Sequence, residues 1–381
     1  MYSIGWFQVS AAAQTAVKAP SQTWVLAGYK AGDNAQLMAL VHALGWPFEV
    51  KHLAYRRTEL TTNLLLRVTL AGVVKSRSSP LAPPWPELVL TAGRRNEPVA
   101  RWIKAKSGGR TRLVHLGRPW APVERFDLVI TTPQYFVPEA RNVLTIGMPL
   151  HGITPEVLQS AASQWEPRLA HFPRPRIAVL VGGSSPPYRF GVKEAAELGR
   201  LLEAKAAATK GSLLVTTSAR TDRRAATALQ AELRGPHWVH RWQPLATDNP
   251  YRGFLAVADE IVVTGDSISM LAEAAATGKP VSIFDLGGMQ GSERLPLAAA
   301  RDAPSLLHLL LMRTAPHRMR RDVRILLQAA VLSGRAVWLG EPVKSSARIV
   351  GDDLSRAVQA VRRLFLTAAR GKVVRTPRLP R

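Results

Sequence analysis

Short apolar runs alternate with segments of helical periodicity along most of the chain, beginning at Thr23. The first run, residues 23–27, is followed by a polar loop and a helical pattern from Asn34 to Leu44. Further strand-like runs occupy residues 49–53, 87–93, 111–117, 126–132 and 142–147. Because short strands joined by helical crossovers pair in parallel, this half of the chain predicts a mainly parallel sheet.

The same alternation begins again in the second half of the chain. Strand-like runs occur at residues 177–183, 212–218, 237–242, 260–265 and 280–286. Helical patterns lie between them at residues 193–208, 222–233, 251–258 and 267–277. This series is of the right size for one doubly wound domain. Between the halves, residues 154–176 contain four prolines, which predicts a linker there.

Near the C-terminus, apolar side chains recur at helical spacing, and arginines lie largely off that face. The apolar positions are Leu354, Ala357, Val358, Val361, Leu364 and Phe365. We therefore expect an α/β fold of two Rossmann-like doubly wound domains facing a cleft, with the C-terminal helix returning to the first domain. The predicted divisions are an extension at 1–21, a first domain at 22–165, a second at 166–345, and a helix with a basic tail at 346–381.

Charge changes this picture because it is distributed unevenly. The 381 residues include 51 Lys and Arg against 27 Asp and Glu, a net charge of +24. Residues 51–79 and 94–118 together carry +12, and residues 313–324 and 354–381 carry another +12. Residues 119–312 carry only +1. The excess positive charge therefore lies in the first domain, in residues 313–324 and in residues 354–381. With no DNA- or RNA-reading motif, no specific nucleic-acid partner is expected.

Two other function classes are limited by composition. The chain has no cysteine, which excludes disulfides and thiolate metal sites, and no histidine pair has metal-ligand spacing. No apolar run reaches the ~18–20 residues that span a bilayer. The basic, apolar segment 55–79 and the C-terminal tail instead suggest an anionic membrane surface, although a core helix with solvated basic residues explains 55–79 equally well. We expect a cytoplasmic protein, peripheral at the inner face of the membrane.

Two motifs of the second half are candidates for a phosphate site. The strand at 177–183 runs into Gly182, Gly183, Ser184 and Ser185, whose amides and hydroxyls could surround a phosphate. A tight turn without a ligand is the alternative, and Pro186-Pro187 removes two donors. The second motif spans 262–280.

In that second motif a strand ends before Asp266 and Ser267, either of which could cap the following helix. Ser267 and Ser269 lie in its first turn, where amides and the helix dipole favour an anion. Glu273, further along the helix, could accept hydrogen bonds from a ribose. Simple capping and a surface glutamate are the alternative. Arg220, at the end of the strand 212–218, could reach a diphosphate.

In the first half, Asp33 lies in the loop AGYKAGDNAQ and could act as a general base toward an acceptor hydroxyl, or simply cap a helix together with Asn34. His151 follows a strand near the linker and is a second catalytic candidate. Arg94 and Arg95 follow a strand and could grip an anion.

The second half resembles the nucleotide-sugar-binding domain of GT-B glycosyltransferases, most closely the bacterial peptidoglycan N-acetylglucosaminyltransferase. The shared pattern is the strand–Ser–helix–Glu–Gly–Pro–strand order of the motif at 262–280 and the strand at 280–286. The resemblance implies that this loop and helix hold a diphosphate, that Glu273 holds the ribose and that Gln290 contacts the sugar. It also implies metal-independent catalysis with a nucleoside-diphosphate sugar, UDP-linked, as substrate and no cofactor.

From Trp24 to about Phe365 the chain also resembles the mitochondrial-fission family, including its bacterial members of unknown function. The matching stretches are AGDNAQ (31–36), ALGWPFEVKHL (43–53), TAGRRNEPVAR (91–101), FDLVITTP (126–133), NVLTIGMPLHGITPE (142–156), VGGSSPPYRFG (181–191), TTSARTDRRA (216–225) and the long stretch at 249–281. Plant members are implied to be adaptors that bring a dynamin-related protein to mitochondria.

The leading hypothesis is thus a nucleotide-sugar-binding, GT-B-like protein, a metal-independent glycosyltransferase acting near a membrane surface. Whether it is an enzyme stays open at this point. The alternatives are a non-catalytic, membrane-associated adaptor of the mitochondrial-fission family and a non-specific polyanion-binding protein.

Overall fold

The computed structural model describes residues 18–28, 30–56, 68–244, 248–287, 290, 306, 310, 314, 320–342 and 353–366. Several sequence predictions fall outside these residues. They are most of the N-terminal extension (1–17), the centre of the basic segment (57–67) and the C-terminal tail (367–381).

The first half forms one six-stranded parallel sheet with the order β2-β1-β3-β4-β5-β6. Its strands are β1 (Thr23–Ala27), β2 (Phe48–His52), β3 (Leu88–Ala92), β4 (Arg112–Leu116), β5 (Leu128–Thr131) and β6 (Val143–Thr145). The chain leaves β1 toward β2 on one side and returns as β3 on the other. The position between β1 and β3 is therefore the topological switch point, where the loops that follow the two strands diverge and leave a crevice.

Helices cover both faces of this sheet. On one face lie α1 (Ala31–Leu44) and the C-terminal helix α9 (Asp353–Arg363), and on the other lies α2 (Gly93–Lys106). Ala357, Val358 and Val361 of α9 are buried in the same core as α1. The spacing of apolar side chains explains this, because positions three and four apart share one helix face. The C-terminal helix thus returns to the first domain, as predicted.

The second half forms another six-stranded parallel sheet, with the order β12-β11-β10-β7-β8-β9. Its strands are β7 (Arg176–Val181), β8 (Ser212–Thr217), β9 (His237–His240), β10 (Glu260–Thr264), β11 (Val281–Phe284) and β12 (Val337–Trp338). Its helices are α4 (Val192–Thr209), α5 (Arg223–Ala231), α6 (Tyr251–Val257), α7 (Ile268–Ala276) and α8 (Arg324–Leu332). The switch point lies between β7 and β10. Two Rossmann-like domains are thus confirmed.

The proline-rich segment between the sheets is a helix rather than the predicted linker. Helix α3 spans Pro155–Leu169, with Pro155 in its first turn, where proline is tolerated because that amide has no helical acceptor. Thr154 caps the helix by accepting a hydrogen bond from the Val157 amide at 3.3 Å. Trp165 is buried in the core of the second sheet. The predicted boundary at 165 falls inside this helix, and the domain limits stay a prediction.

Part of the basic segment 55–79 belongs to the first domain's core. Val73 is buried there and Leu70 packs against it, while Lys75 and Arg77 lie exposed in a short 3-10 helix (Lys75–Arg77). In the part of the chain that the structure describes, none of the helices has both the length and the hydropathy to cross a membrane.

Candidate functional site

The two switch points face each other across one crevice. Gly32, in the first turn of α1, lies so near the second domain that a Cβ added to it would stand 3.3 Å from Oγ of Ser269. Ser269 lies in the first turn of α7, which begins directly after the second switch point. The carboxyl ends of the central strands of both sheets therefore open toward the same space, where ligands of doubly wound folds bind.

A buried carboxylate organises the second switch point. Oδ2 of Asp266 accepts a hydrogen bond from the Gly183 amide at 3.0 Å and pairs with Nη2 of Arg220 at 2.8 Å. Its Oδ1 accepts a hydrogen bond from Oγ1 of Thr264 at 2.7 Å. Burial raises the pKa of the Asp266 carboxyl, while Arg220, Thr264 and the Gly183 amide act in the opposite direction. Asp266 and Arg220 thus connect the loops that follow β10, β7 and β8.

Three amides of the Gly-Gly-Ser-Ser turn donate hydrogen bonds to other groups of the protein. The Gly182 amide donates to Oγ1 of Thr264 at 2.8 Å, and the Gly183 amide donates to Asp266. The Ser185 amide donates to the Tyr188 carbonyl at 3.0 Å. Oγ of Ser184 accepts a hydrogen bond from the Phe190 amide at 3.1 Å. The sequence left a phosphate site and a tight turn without a ligand as alternatives. In this structure the Gly182 and Gly183 amides donate to Thr264 and Asp266, and the Ser185 amide donates within its own loop.

Position 182 requires a glycine because the Asp266 carboxylate lies very close to its backbone. A Cβ at this position would lie 2.5 Å from Oδ1 of that carboxylate, far inside any normal contact. The sequence pattern suggested a glycine that lets a ligand approach the backbone. The structure shows that the protein's own carboxylate makes this approach.

The start of α7 lies beside Gly32 of the first domain and has no side-chain cap. Ser267 is its N-cap residue, but the Ser267 side chain makes no capping hydrogen bond, and the first turn contains no acidic residue. Ser267 is buried, whereas Ser269 is half-buried at the crevice. Neither Asp266 nor Ser267 therefore caps the helix with its side chain.

Glu273 lies on the same helix and contacts a tyrosine. Its Oε2 accepts a hydrogen bond from the Tyr251 hydroxyl, contributed by α6. Burial raises the pKa of Glu273, and the hydrogen bond from Tyr251 lowers it. Gln290 is exposed after β11. The structure thus places Glu273 beside a hydroxyl donor, and the sequence pattern alone did not indicate Tyr251.

The first switch point contains an open pocket lined by the loops after β1 and β3. Asp33 contributes to its wall, and Oδ2 of Asp33 lies 3.0 Å from the position that a Cβ of Gly93 would occupy. Desolvation by burial raises the pKa of Asp33, while Lys30 and Arg321 lower it. A carboxyl group with a raised pKa, beside a crevice, suits a general base.

The predicted capping role of Asp33 or Asn34 is wrong. Helix α1 begins one turn earlier than predicted, and its N-cap residue is Lys30, without a side-chain capping bond. Asn34 instead holds the loop after β1, because its Oδ1 accepts from the Gly28 amide at 3.0 Å and its Nδ2 donates to the Gly28 carbonyl at 2.8 Å. This pairing fixes the wall of the pocket.

His151 is placed after β6, the edge strand of the first sheet. Desolvation lowers its pKa, while the nearby Asp353 of α9 and a hydrogen bond with the Ile153 backbone raise it. These described partners of His151 belong to the C-terminal helix and to its own loop. The structure therefore brings Asp33, Ser269 and the pocket together and places His151 with α9.

Sequence reasoning missed three cations around this pocket. They are Lys30, Arg118 and Arg321, and the charges of Lys30 and Arg321 both act on Asp33. Arg118 comes directly after β4, so its position at a strand end was a usable signal. Arg321 comes from the second domain, and its side chain donates to Oε1 of Gln134 in the first domain at 3.2 Å. Arg321 could be found only from the fold.

Within the described part of the chain, no group of three or more His, Asp or Glu side chains is arranged to hold a metal ion. The expectation that the chain uses no metal stays a prediction.

The chain is similar in structure to several sugar-nucleotide proteins. One is the UDP-GlcNAc 2-epimerase of Neisseria meningitidis bound to UDP-GlcNAc, with 12% identity, coverage of 89% of this chain and 99% of that one, and a TM-score of 0.45. Another is S. aureus MnaA with UDP, with 9% identity, coverage of 90% and 96%, and a TM-score of 0.48. The A. baumannii MurG matches at 13% identity, 90% and 99% coverage, and a TM-score of 0.39. At these scores the likeness carries no functional argument.

Relatives in sequence are more informative. The mitochondrial fission protein ELM1 of Arabidopsis thaliana is 30% identical over 242 residues, which are 58% of this chain and 56% of that protein. The match thus spans little more than half of the plant protein's length. The uncharacterised protein RP120 of Rickettsia prowazekii is 24% identical over 298 residues, 68% of this chain and 82% of that protein. The family model named Mitochondrial fission ELM1 matches residues 31–301, and the chain therefore belongs to the mitochondrial fission ELM1 family.

Proposed function

We propose that the crevice binds a nucleoside-diphosphate sugar, UDP-linked, and that the protein is a metal-independent glycosyltransferase. The observation that carries this proposal is that both switch points open onto one crevice, where Gly32 meets Ser269. A ligand with a nucleotide part and a sugar part can then contact both domains at once.

The second domain would hold the nucleotide. The start of α7 offers amides without a side-chain cap, beside Ser269, for the diphosphate. Arg220 is oriented by Asp266 and lies at the same edge, where it adds positive charge. Glu273, with Tyr251 beside it, is the acceptor for ribose hydroxyls. In this arrangement Gly182–Ser185 shape the site, because the amides of Gly182, Gly183 and Ser185 are already used.

The first domain would hold the acceptor. Asp33 lies next to Gly32 and therefore close to Ser269 across the crevice. Its raised pKa makes the carboxylate a better proton acceptor than an ordinary aspartate at the same pH. The role proposed for Asp33 is to take the proton of an acceptor hydroxyl as that oxygen attacks the anomeric carbon and the nucleoside diphosphate leaves.

Titration calorimetry with UDP tests the nucleotide site. We expect the wild-type chain to bind UDP and Glu273→Ala to bind it about tenfold more weakly or worse, because a hydrogen bond to a charged group contributes about 1.5–3 kcal/mol. Glu197→Ala is the matched control, since Glu197 is an exposed glutamate of α4 in the same domain. Absence of UDP binding to the wild type would refute the proposal.

A second test closes the crevice. In Gly32→Leu the added side chain points at Ser269, where even a Cβ has only 3.3 Å. We expect UDP binding to be lost while the midpoint of thermal unfolding changes little, since Gly32 lies at the domain surface. Ala35→Leu, at an exposed position of the same helix, should bind UDP like the wild type. If Gly32→Leu binds UDP normally, the ligand does not pass between these helices.

The alternative function is a non-catalytic, membrane-associated adaptor. Membership of the ELM1 family favours it, and so does the internal use of the Gly182 and Gly183 amides. Sedimentation with vesicles of anionic or neutral lipid separates the two proposals when combined with the UDP titration. An adaptor should sediment with anionic vesicles and bind no UDP. Equal recovery from both kinds of vesicle would argue against a membrane surface as partner.

A further inference from the structure

Five cationic side chains meet at the switch point of the first sheet. We call Lys30, Arg94, Arg95, Arg118 and Arg321 the basic cluster. Four of them follow strands β1, β3 and β4 of the first sheet, and Arg321 reaches in from the second domain. Lys30, Arg94 and Arg95 line the open pocket itself. The cluster thus collects charge from segments that lie far apart in the sequence.

Fixed contacts hold the cluster in place. The guanidinium groups of Arg118 and Arg321 both lie 5.8 Å from the ring centre of Tyr135. Arg118 also donates to the Arg320 carbonyl, which joins it to the segment that carries Arg321. The guanidinium of Arg94 lies 4.8 Å from the ring centre of Trp120. Aromatic faces and a carbonyl therefore orient these side chains, and their charges remain available to a ligand.

The named side chains carry more positive than negative formal charge. Asp33 brings one negative charge to five positive ones, so the six side chains together carry four net positive charges. Burial lowers the pKa of Arg118 to about 10, Tyr135 raises it, and Arg94 and Arg321 lower it further. Mutual repulsion of this kind costs folding free energy. A bound anion would remove that cost.

The start of α2 adds to the positive electrostatic potential of the basic cluster. Its N-cap residue, Ala92, has no side chain that can cap, and its first turn contains Arg94 and Arg95 but no acidic residue. Cations are unfavourable at this end of a helix, because the helix dipole is positive there. The side chain of Arg94 is exposed, with its guanidinium over the Trp120 ring. Recognition of an anion would account for this arginine in a first turn that has no acidic residue.

We propose that the basic cluster binds a phosphate group of a second ligand, separate from the nucleotide at α7. Guanidinium groups donate in pairs to phosphate oxygens, and a tetrahedral group can meet donors that arrive from several directions. On the acceptor side of the crevice, this ligand class is a phosphorylated acceptor. That last identification rests on the proposed function, whereas the binding of phosphate does not.

Titration calorimetry with inorganic pyrophosphate tests the site on the full chain. We expect the wild type to bind it and both Arg94→Gln and Arg321→Gln to bind about tenfold more weakly or worse. Arg125→Gln is the control, because Arg125 is an exposed arginine of the first domain outside the cluster. Circular dichroism confirms that the variants are folded. Failure of the wild type to bind pyrophosphate, or an equal loss in Arg125→Gln, would overturn the proposal.

The same variants distinguish this site from the nucleotide site. Arg94→Gln should leave the Kd for UDP unchanged, and Glu273→Ala should leave the Kd for pyrophosphate unchanged. If Arg94→Gln weakens both ligands equally, one site binds both and the proposal of a separate phosphate site is wrong. If UDP fails to bind but pyrophosphate binding depends on Arg94, the phosphate site stands and the proposed function fails.

Vesicles identify the source of the phosphate. Co-sedimentation with phosphatidylcholine vesicles containing phosphatidic acid, lost in Arg94→Gln and kept in Arg125→Gln, would assign the site to a lipid headgroup. Binding of pyrophosphate without any Arg94-dependent binding to those vesicles would assign it to a soluble phosphorylated molecule. Both results support a phosphate site.

Discussion

Replacing Asp266 with alanine is expected to lower the free energy of unfolding of the second domain by about 2–5 kcal/mol, because each buried donor left without its acceptor costs about 1–3 kcal/mol. Asp266 is only 2% exposed. Its removal leaves the Gly183 amide, the Thr264 hydroxyl and the Arg220 guanidinium without their common acceptor. The loops after β7, β8 and β10 would separate, so UDP binding should fall together with stability.

Chemical unfolding with urea, followed by circular dichroism, measures this effect. Asp248→Ala is the matched control, since Asp248 pairs with Arg168 at 2.7 Å but its side chain is 58% exposed. Solvent screens an exposed ion pair, so this control should unfold nearly like the wild type. A similar loss in both variants would show that Asp266 does not organise the loops.

The pH dependence gives an independent check on Asp266. Burial raises its pKa in the folded state, so the folded protein holds this proton at a higher pH than the unfolded chain does. The contribution of Asp266 to stability is therefore fully present below the unfolded pKa and decreases as pH rises through the folded pKa. The stability difference between wild type and Asp266→Ala should consequently be larger near pH 4 than at pH 7.

Replacing Glu97 with alanine should destabilise the first domain by about 2–5 kcal/mol, because each buried donor left unsatisfied costs about 1–3 kcal/mol. Glu97 is 3% exposed, and its two carboxylate oxygens accept from the Trp120 amide at 2.6 Å and the Ala121 amide at 2.9 Å. These bonds fix the loop that carries Arg118. The variant should therefore also bind pyrophosphate more weakly.

Thermal unfolding and the pyrophosphate titration together measure the role of Glu97. Glu124→Ala, an exposed glutamate of the same domain, should leave both unchanged. Glu97→Gln keeps one acceptor oxygen and should give an intermediate result. If Glu97→Ala unfolds like the wild type, the loop is held by other contacts, and its link to Arg118 is wrong.

Three elements show how much of the fold could be predicted from the sequence. Residues 23–27 were predicted as a strand and form β1 with the same bounds, because a run of five residues is too short for an ordinary helix. The four prolines of residues 154–176 led to the wrong prediction of a linker. Pro155 occupies a position in the first helical turn, where proline costs nothing. The short strand β12 carries too few residues to show any periodicity.

Some residues of the candidate site could likewise be predicted from the sequence, whereas their contacts could not. Asp33, Ser269 and Glu273 could be identified because they follow strands or lie on helices that begin at a crevice. The use of the Gly182 and Gly183 amides could not be predicted, because their acceptors, Thr264 and Asp266, are more than eighty residues away. The partner of Glu273 is likewise Tyr251, on a different helix.

The sequence by itself determined the two parallel α/β sheets, the return of the C-terminal helix and the family of the protein. Each of these depends on local periodicity or on motifs that are contiguous in the chain. Only the tertiary structure decided which polar groups face the crevice and which ones face each other. The basic cluster illustrates the reason. Arg321 joins Lys30 and Arg118 through space, and a sequence pattern does not record contacts between loops of two domains.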